Sequence, residues 1–189
     1  NYHIDMKQID CEFNAYFIGL MLTDGYIQDH NRFGIQLTDE DCIHFISKVT
    51  NKEYKAYKTQ NENHKPYYRI IFSDKEQINF MKRYGIVRNK SKIIPAPILK
   101  TDEEKFIPYI IRGIIDGDGC LYYTSGNTPA FSIFTASLDF AKWIRDVLEN
   151  KLYMKDLRMT TIEQKYYRVE SSYYPNLVIL RALVYDKPF

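Results

Sequence analysis

The chain switches between helical and alternating hydrophobic periods in a fixed order, and it runs through that order twice. Residues 12–23 and 103–117 each predict an amphipathic helix that ends in Asp-Gly. Thr101 and Glu104 form a capping-box start for the second of these. Two alternating stretches follow the first helix, at 26–28 and 33–37, joined by the turn-like Asp29-His30-Asn31-Arg32. Thr38 and Asp41 then open a second helix. Residues 52–59 and 67–72 read as another hairpin, with Asn61-Glu62-Asn63-His64 at its tip. Ser73 with Glu76 caps a third helix, which runs to Tyr84 and stops at Gly85. The second half repeats the scheme, with strands near 120–124, 130–135, 157–162 and 166–171 and helices between and after. The expected fold is therefore α+β, an αββαββα unit present in tandem. The basic stretch 87–100, which holds Pro95 and Pro97, is the natural linker between halves 1–86 and 101–189.

The repetition extends to individual residues. Ala15 to Gly25 (AYFIGLMLTDG) resembles Tyr109 to Gly119 (YIIRGIIDGDG). Phe33-Gly34-Ile35-Gln36-Leu37 parallels Phe131-Ser132-Ile133-Phe134-Thr135, and Tyr67-Tyr68-Arg69-Ile70-Ile71 parallels Tyr166-Tyr167-Arg168-Val169-Glu170. Three matches in one order at similar intervals indicate a tandem duplication. A single helix ending in Asp-Gly reads simply as a helix with a glycine C-cap. Two at equivalent places ask for a shared reason.

Gly19 and Gly113 fall on the apolar faces of their helices, where a missing side chain allows close backbone approach. If these helices pack together, Asp24 and Asp118 meet at their ends. Two such carboxylates repel and are pushed toward protonation unless a divalent cation lies between them. Hard oxygen donors suit magnesium, or manganese, which can activate water and stabilise the leaving oxygen of a phosphodiester.

Strand alternation puts Ile27, Phe33, Ile35, Tyr68, Ile70 and Phe72 on a core face. The opposite face then carries Tyr26, Gln28, Gln36, Tyr67 and Arg69, with Arg32 and Lys55 beside them. In the second half it carries Tyr122, Ser132, Arg158, Thr160 and Arg168. Such donors and acceptors can read base edges and hold phosphates, although any half-exposed antiparallel sheet has a polar outer face.

Composition narrows the field only a little. The chain is 45% hydrophobic and 15% aromatic, which suits a packed protein, and its net charge of +2 is too small to argue for nucleic acid by itself. Cys11, Cys42 and Cys120 are far apart and form no CxxC pair, which argues against a disulfide framework or zinc site and fits a reducing compartment. Residues 1–10 do not read as a signal peptide, and no apolar run is long enough to span a bilayer. An intracellular, non-secreted protein is expected. The sequence does not separate a bacterial or phage-infected cytoplasm from an organelle.

The segments Phe17 to Gly25 and Ile111 to Gly119 resemble the two signature motifs of the LAGLIDADG homing endonucleases. The second is the closer match; the first departs at Leu22 and Thr23 but keeps both glycines and Asp24. Lys90-Ser91-Lys92-Ile93-Ile94-Pro95 also resembles the family's usual linker. Two motifs in one chain imply the monomeric, pseudo-twofold form, which requires no protein partner. In that form two saddle-shaped antiparallel sheets straddle double-stranded DNA, and the motif helices pack at the centre. The resemblance implies that Asp24 and Asp118 bind the catalytic metals, Mg2+ or Mn2+, with the carbonyls of Thr23 and Gly117. It further implies cleavage that leaves 3′ overhangs, in the service of intron homing. Lys75 is placed as a polariser of the water network, and its repeat partner is Tyr174. Where an amide commonly ends the second strand, the candidates are Gln36 or Leu37, and Thr135.

Three other readings stay open: an RNA maturase, a non-catalytic DNA-binding regulator, and an endonuclease within an intein. Asn1 resembles no intein nucleophile, and Asp186-Lys187-Pro188-Phe189 lacks the closing His-Asn. The chain ends soon after Tyr185, where such enzymes often carry a further basic tail.

Overall fold

The computed structural model describes residues 8–58 and 65–186; the expected hairpin tip at 61–64, residues 1–7 and residues 187–189 lie outside them. The first half contains α1 (Glu12–Thr23), β1 (Gly25–Gln28), β2 (Arg32–Leu37), α2 (Glu40–Thr50), β3 (Tyr54–Tyr57), β4 (Tyr67–Ser73) and α3 (Lys75–Lys82). The second contains α4 (Ile107–Asp118), β5 (Gly119–Tyr123), β6 (Pro129–Thr135), α5 (Leu138–Asn150), β7 (Arg158–Ile162), β8 (Tyr166–Ser171) and α6 (Tyr174–Ile179), continued by a π-helical turn at Leu180–Tyr185. The αββαββα order thus occurs twice.

Each half forms one four-stranded antiparallel sheet, β1-β2-β4-β3 and β5-β6-β8-β7. The registers are equivalent residue by residue. Gly25 pairs with Ile35 as Gly119 pairs with Ile133, and Gln36 pairs with Arg69 as Phe134 pairs with Arg168. Phe33, Ile35, Ile70 and Phe72 are buried on one face, with Ile27 and Tyr68 packed against them.

The sheets lean on a central pair of helices, α1 and α4. Helix α1 is not amphipathic as expected: every residue from Asn14 to Leu22 is buried. Its remaining apolar sides are taken by its own half, where Phe17 meets Phe33 and Phe72 edge-on. At the crossing the backbones touch. A Cβ on Gly19 would lie 2.2 Å from the Ile110 carbonyl, and one on Gly113 would lie 2.2 Å from the Tyr16 carbonyl. The obstructing atoms are backbone, so no rotamer change can relieve them. Gly113→Ala is expected to destabilise the chain by about 2–3 kcal/mol through forced separation of the helices, which a urea unfolding curve would measure. On the far side of the crossing Asp116 accepts hydrogen bonds from Tyr16 and Tyr185, each at 2.9 Å, and so ties α4 to α1 and to the C-terminal turn.

Several element starts differ from expectation by a residue or more. Asp39 caps α2, accepting from the Cys42 N–H, rather than Thr38. Asp74 caps α3, accepting from Glu76 and Gln77 N–H, rather than Ser73. Before α4, Glu103 accepts from the Lys100 N–H, in place of the Thr101–Glu104 box. The segment Thr101–Phe106 there is a 3-10 helix, and α4 proper begins only at Ile107. Pro108 explains the delay, since a residue without an N–H is tolerated only in the first turn of an α-helix.

Candidate functional site

The carboxylates of Asp24 and Asp118 sit at the ends of the crossed helices. Asp24 is the C-cap of α1, its N–H bonded to the Leu20 carbonyl, and Asp118 is the last residue of α4. Glycine at 117 makes the meeting possible. A Cβ there would fall 1.9 Å from Thr23 Oγ1 and 3.5 Å from Asp24 Oδ2. Burial is the first cause pushing the Asp24 carboxyl up, to about 7, and repulsion from Asp118 adds to it. Burial likewise raises Asp118, to about 6. Asp118 nonetheless stays open to solvent on one side. A cavity of about 190 Å³ adjoins it, lined by Thr23, Ser91, Phe134, Thr135 and Tyr166 among others.

The cation that faces this pair comes from the linker. Asn89, in the left-handed backbone region at φ 56°, turns the chain into a short 3-10 helix at Lys90–Lys92. The Lys90 side chain thereby enters the site and is only 5% exposed. Its Nζ donates to the Thr23 carbonyl at 3.2 Å and to the Gly25 carbonyl. Lys90 thus neutralises the negative end of α1 while both carboxylates attract it. Desolvation outweighs that attraction and pulls its ammonium down to about 8.

Lys75, expected in this role, is elsewhere. It is exposed at the start of α3, beside Asp74, whose N–H bonds to Asn31 in the β1–β2 turn. That turn is the far end of β1 from Asp24, roughly 10 Å along the strand. Lys90 was missed because nothing about a lysine in a basic linker marks it as inward-facing. The one signal was that the linker stretch itself resembles the family's.

Oxygen is the whole donor set at the helix ends: two carboxylates and the terminal carbonyls of Thr23 and Gly117, of which Thr23 already accepts from Lys90. Crowded, desolvated carboxylates of this kind fit a hard divalent ion. Among the described residues no group of three or more Asp, Glu, His or Cys could hold a metal, so water or phosphate oxygens would have to complete its shell. Asp116, the other acid of the second motif, is engaged by its two tyrosines.

The predicted nucleic-acid residues share one face in each sheet. In the first, Tyr26 lies over Gly34, Gln28 pairs with Arg32, Gln36 and Lys55 both flank Arg69, and Tyr67 stacks on Tyr57. In the second, Tyr122, Ser132, Thr160, Arg158 and Arg168 share the corresponding face. Gln36, the first-half amide candidate, accepts from Arg69 Nε at 2.8 Å. Its repeat position is Phe134, which stacks on Tyr166, so the second half has no amide there. Thr135 instead accepts from the Ser137 N–H.

No protein-family model matches the sequence, and no curated protein matches it either. Solved structures do match. The N-terminal LAGLIDADG domain of DUF199/WhiA superposes with a TM-score of 0.61 at 12% identity, over 100% of this chain and 93% of that one. The I-LtrWI LAGLIDADG homing endonuclease, bound to target DNA, gives a TM-score of 0.58 at 12% identity, over 94% of this chain and 85% of that one. The LAGLIDADG meganuclease I-AabMI, bound to uncleaved DNA, gives 0.56 at 12% identity, over 92% and 83%. The chain has the LAGLIDADG fold. No helix among the described residues is long and apolar enough to cross a membrane.

Proposed function

We propose that this chain is a site-specific, metal-dependent DNA endonuclease that hydrolyses one phosphodiester on each strand of a long duplex site. It would act as a monomer with internal pseudo-dimer symmetry and leave 3′ overhangs, in the service of intron homing. One observation carries the reading: two carboxylates, Asp24 and Asp118, meet across a glycine-packed helix crossing, with the Lys90 ammonium facing both. The DNA-bound homing endonuclease and meganuclease that share the fold support a duplex lying along the two sheets.

In this reading Asp24 and Asp118 hold the cation with the carbonyls of Thr23 and Gly117. When bound, Mg2+ or Mn2+ would supply an activated water and charge stabilisation at the leaving oxygen. Lys90 balances the charge of the carboxylates and keeps the end of α1 fixed. The polar faces of the sheets, with Arg69 and Lys55 on one and Arg158 and Arg168 on the other, grip the duplex so that both strands reach the helix ends.

A non-catalytic DNA-binding protein is the second reading, and one observation favours it. Lys90 already occupies the Thr23 carbonyl, so an ammonium does part of the work of a metal. Cleavage of a randomised duplex library in Mg2+, read by sequencing the ends, separates the two. Cutting at one enriched long site with 3′ overhangs is expected. Selective binding without cutting in Mg2+ or Mn2+ would leave the binding protein, and absence of DNA binding would direct attention to intron RNA.

A further inference from the structure

The two halves hold their equivalent arginines in different ways. On the first sheet, Arg69 donates to the neutral Gln36, and its guanidinium lies 5.2 Å from the Tyr57 ring and 5.3 Å from the Tyr67 ring. Strands β1 to β4 contain no acidic residue at all. On the second sheet, Arg168 faces Phe134 at that register position, so no amide can accept from it. It turns instead to Glu170, the repeat counterpart of the exposed Ile71.

Glu170 sits between two cations. Arg168 Nη1 is 3.7 Å from one carboxylate oxygen, and Arg158 Nη2, directly across on β7, is 3.6 Å from the other. Tyr122 Oη reaches the same carboxylate at 3.4 Å. The Glu170 side chain is 12% exposed, whereas those of Arg158 and Arg168 are 70% and 41% exposed. The carboxylate is thus sunk under guanidinium groups whose other edges remain open.

A bare carboxylate facing a polyanion lowers affinity, so its place there needs a reason. Both contacts are ion pairs longer than a hydrogen bond, which draw one edge of each guanidinium toward the carboxylate and leave its remaining N–H groups facing out. Bidentate reading of guanine O6 and N7 uses an outward-facing guanidinium fork of this kind. The carboxylate also offsets the charge of these two arginines, whereas Arg69, held by the neutral Gln36 and two tyrosine rings, keeps its full charge.

We infer that Glu170 is a positioning residue that makes Arg158 and Arg168 guanine readers rather than phosphate anchors. The C-terminal half then supplies base selectivity, and the N-terminal half supplies more of the salt-sensitive affinity. This rests on the reading that the sheets bind duplex DNA.

The test is binding selection from a randomised duplex library in EDTA, with wild type, Glu170→Gln and Glu170→Ile, the last installing the first half's residue. Thermal melts confirm that each variant folds. Both variants are expected to bind random duplex about 3–10-fold more tightly at low salt, with a log K against log salt slope steeper by about 1. Guanine preference should fall at positions under one half-site only, and the other half-site should be unchanged. Variants that keep the wild-type motif and salt slope, or lose affinity evenly without a change in preference, would overturn the inference. In either case a wild-type motif keeps the DNA reading intact. A wild type that selects no sequence would overturn both.

Discussion

Asp24→Asn and Asp118→Asn are each expected to lower strand cleavage by at least ~10³-fold and, in the absence of metal, to raise the melting temperature. The two effects share one cause. Ionised carboxylates are crowded where the helices end, with burial first and mutual repulsion second raising Asp24, and burial raising Asp118. Asparagine keeps the shape and removes the charge, so it relieves the folded state while removing the ligand. Because Asp118 is open on one side, solvent screens part of the gain, which should be on the order of 1–2 kcal/mol near neutral pH. Both folded pKa values lie above the ordinary carboxylate value of 3.8. The folded chain therefore holds more protons than the unfolded one in this range, and metal-free stability falls as pH rises through about 6 and about 7. Melts in EDTA across that range should show the decline in wild type and a shallower one in each variant. Added Mg2+ should restore the wild type alone. A variant that still cuts at the wild-type rate would remove its aspartate from the metal site.

What the sequence disclosed about this site, and what it withheld, follows from how far each signal extends along the chain. Asp24 and Asp118 could be read because the constraint on them is local and stated twice: a glycine on the packing face, then Asp-Gly at the helix end. The sheets could be read for the same reason, since alternation is a property of neighbouring residues and the duplication supplies an independent copy. Capping residues shifted by one or more because Thr38, Asp39 and Asp41 are all capable caps, and only the backbone geometry selects Asp39. Helix α1 looked amphipathic because the sequence does not reveal how many elements will surround it. Lys90 and Glu170 were out of reach for a deeper reason. Lys90 acts on Thr23, far away in the chain, and although Glu170 shares a strand face with Arg168, only the register of the sheet brings Arg158 and Tyr122 to the same carboxylate. Lys75 was selected by its position after a strand, yet the register of β4 carries that position to the wrong end of the sheet.

Lys90→Met is expected to reduce cutting by about 10²–10³-fold and to change the stability profile against pH on both its acid and its alkaline side. Methionine replaces the buried lysine stem but leaves the Thr23 and Gly25 carbonyls without their donor and the two carboxylates without a counter-charge. The acid-side decline of the metal-free protein should therefore extend to higher pH, because each carboxylate loses the influence that lowers its pKa. On the alkaline side the opposite change is expected. Lys90 has a folded pKa of about 8 against an ordinary 10.5, so between those values the unfolded chain keeps a proton the folded chain has released. Stability contributed by this group then rises with pH across that interval. The wild type should consequently pass through a minimum near pH 7 to about 8 in EDTA and recover up to about 9, above which the Cys42 thiol, pushed up to about 11 by burial, opposes the recovery. Lys90→Met should have no recovery limb. Combining it with Asp24→Asn removes one of the two charges left facing each other, so the double variant should regain stability without regaining activity. Because the two residues interact directly, their effects should depart from additivity by about 1 kcal/mol or more. A wild type without the alkaline recovery would mean that the attraction of the carboxylates outweighs the desolvation of the ammonium; strictly additive variants would mean that the ammonium is not electrically coupled to the carboxylates. Lys90 would then be an anchor for the linker, and the charge balance at the helix ends would have to come from metal alone.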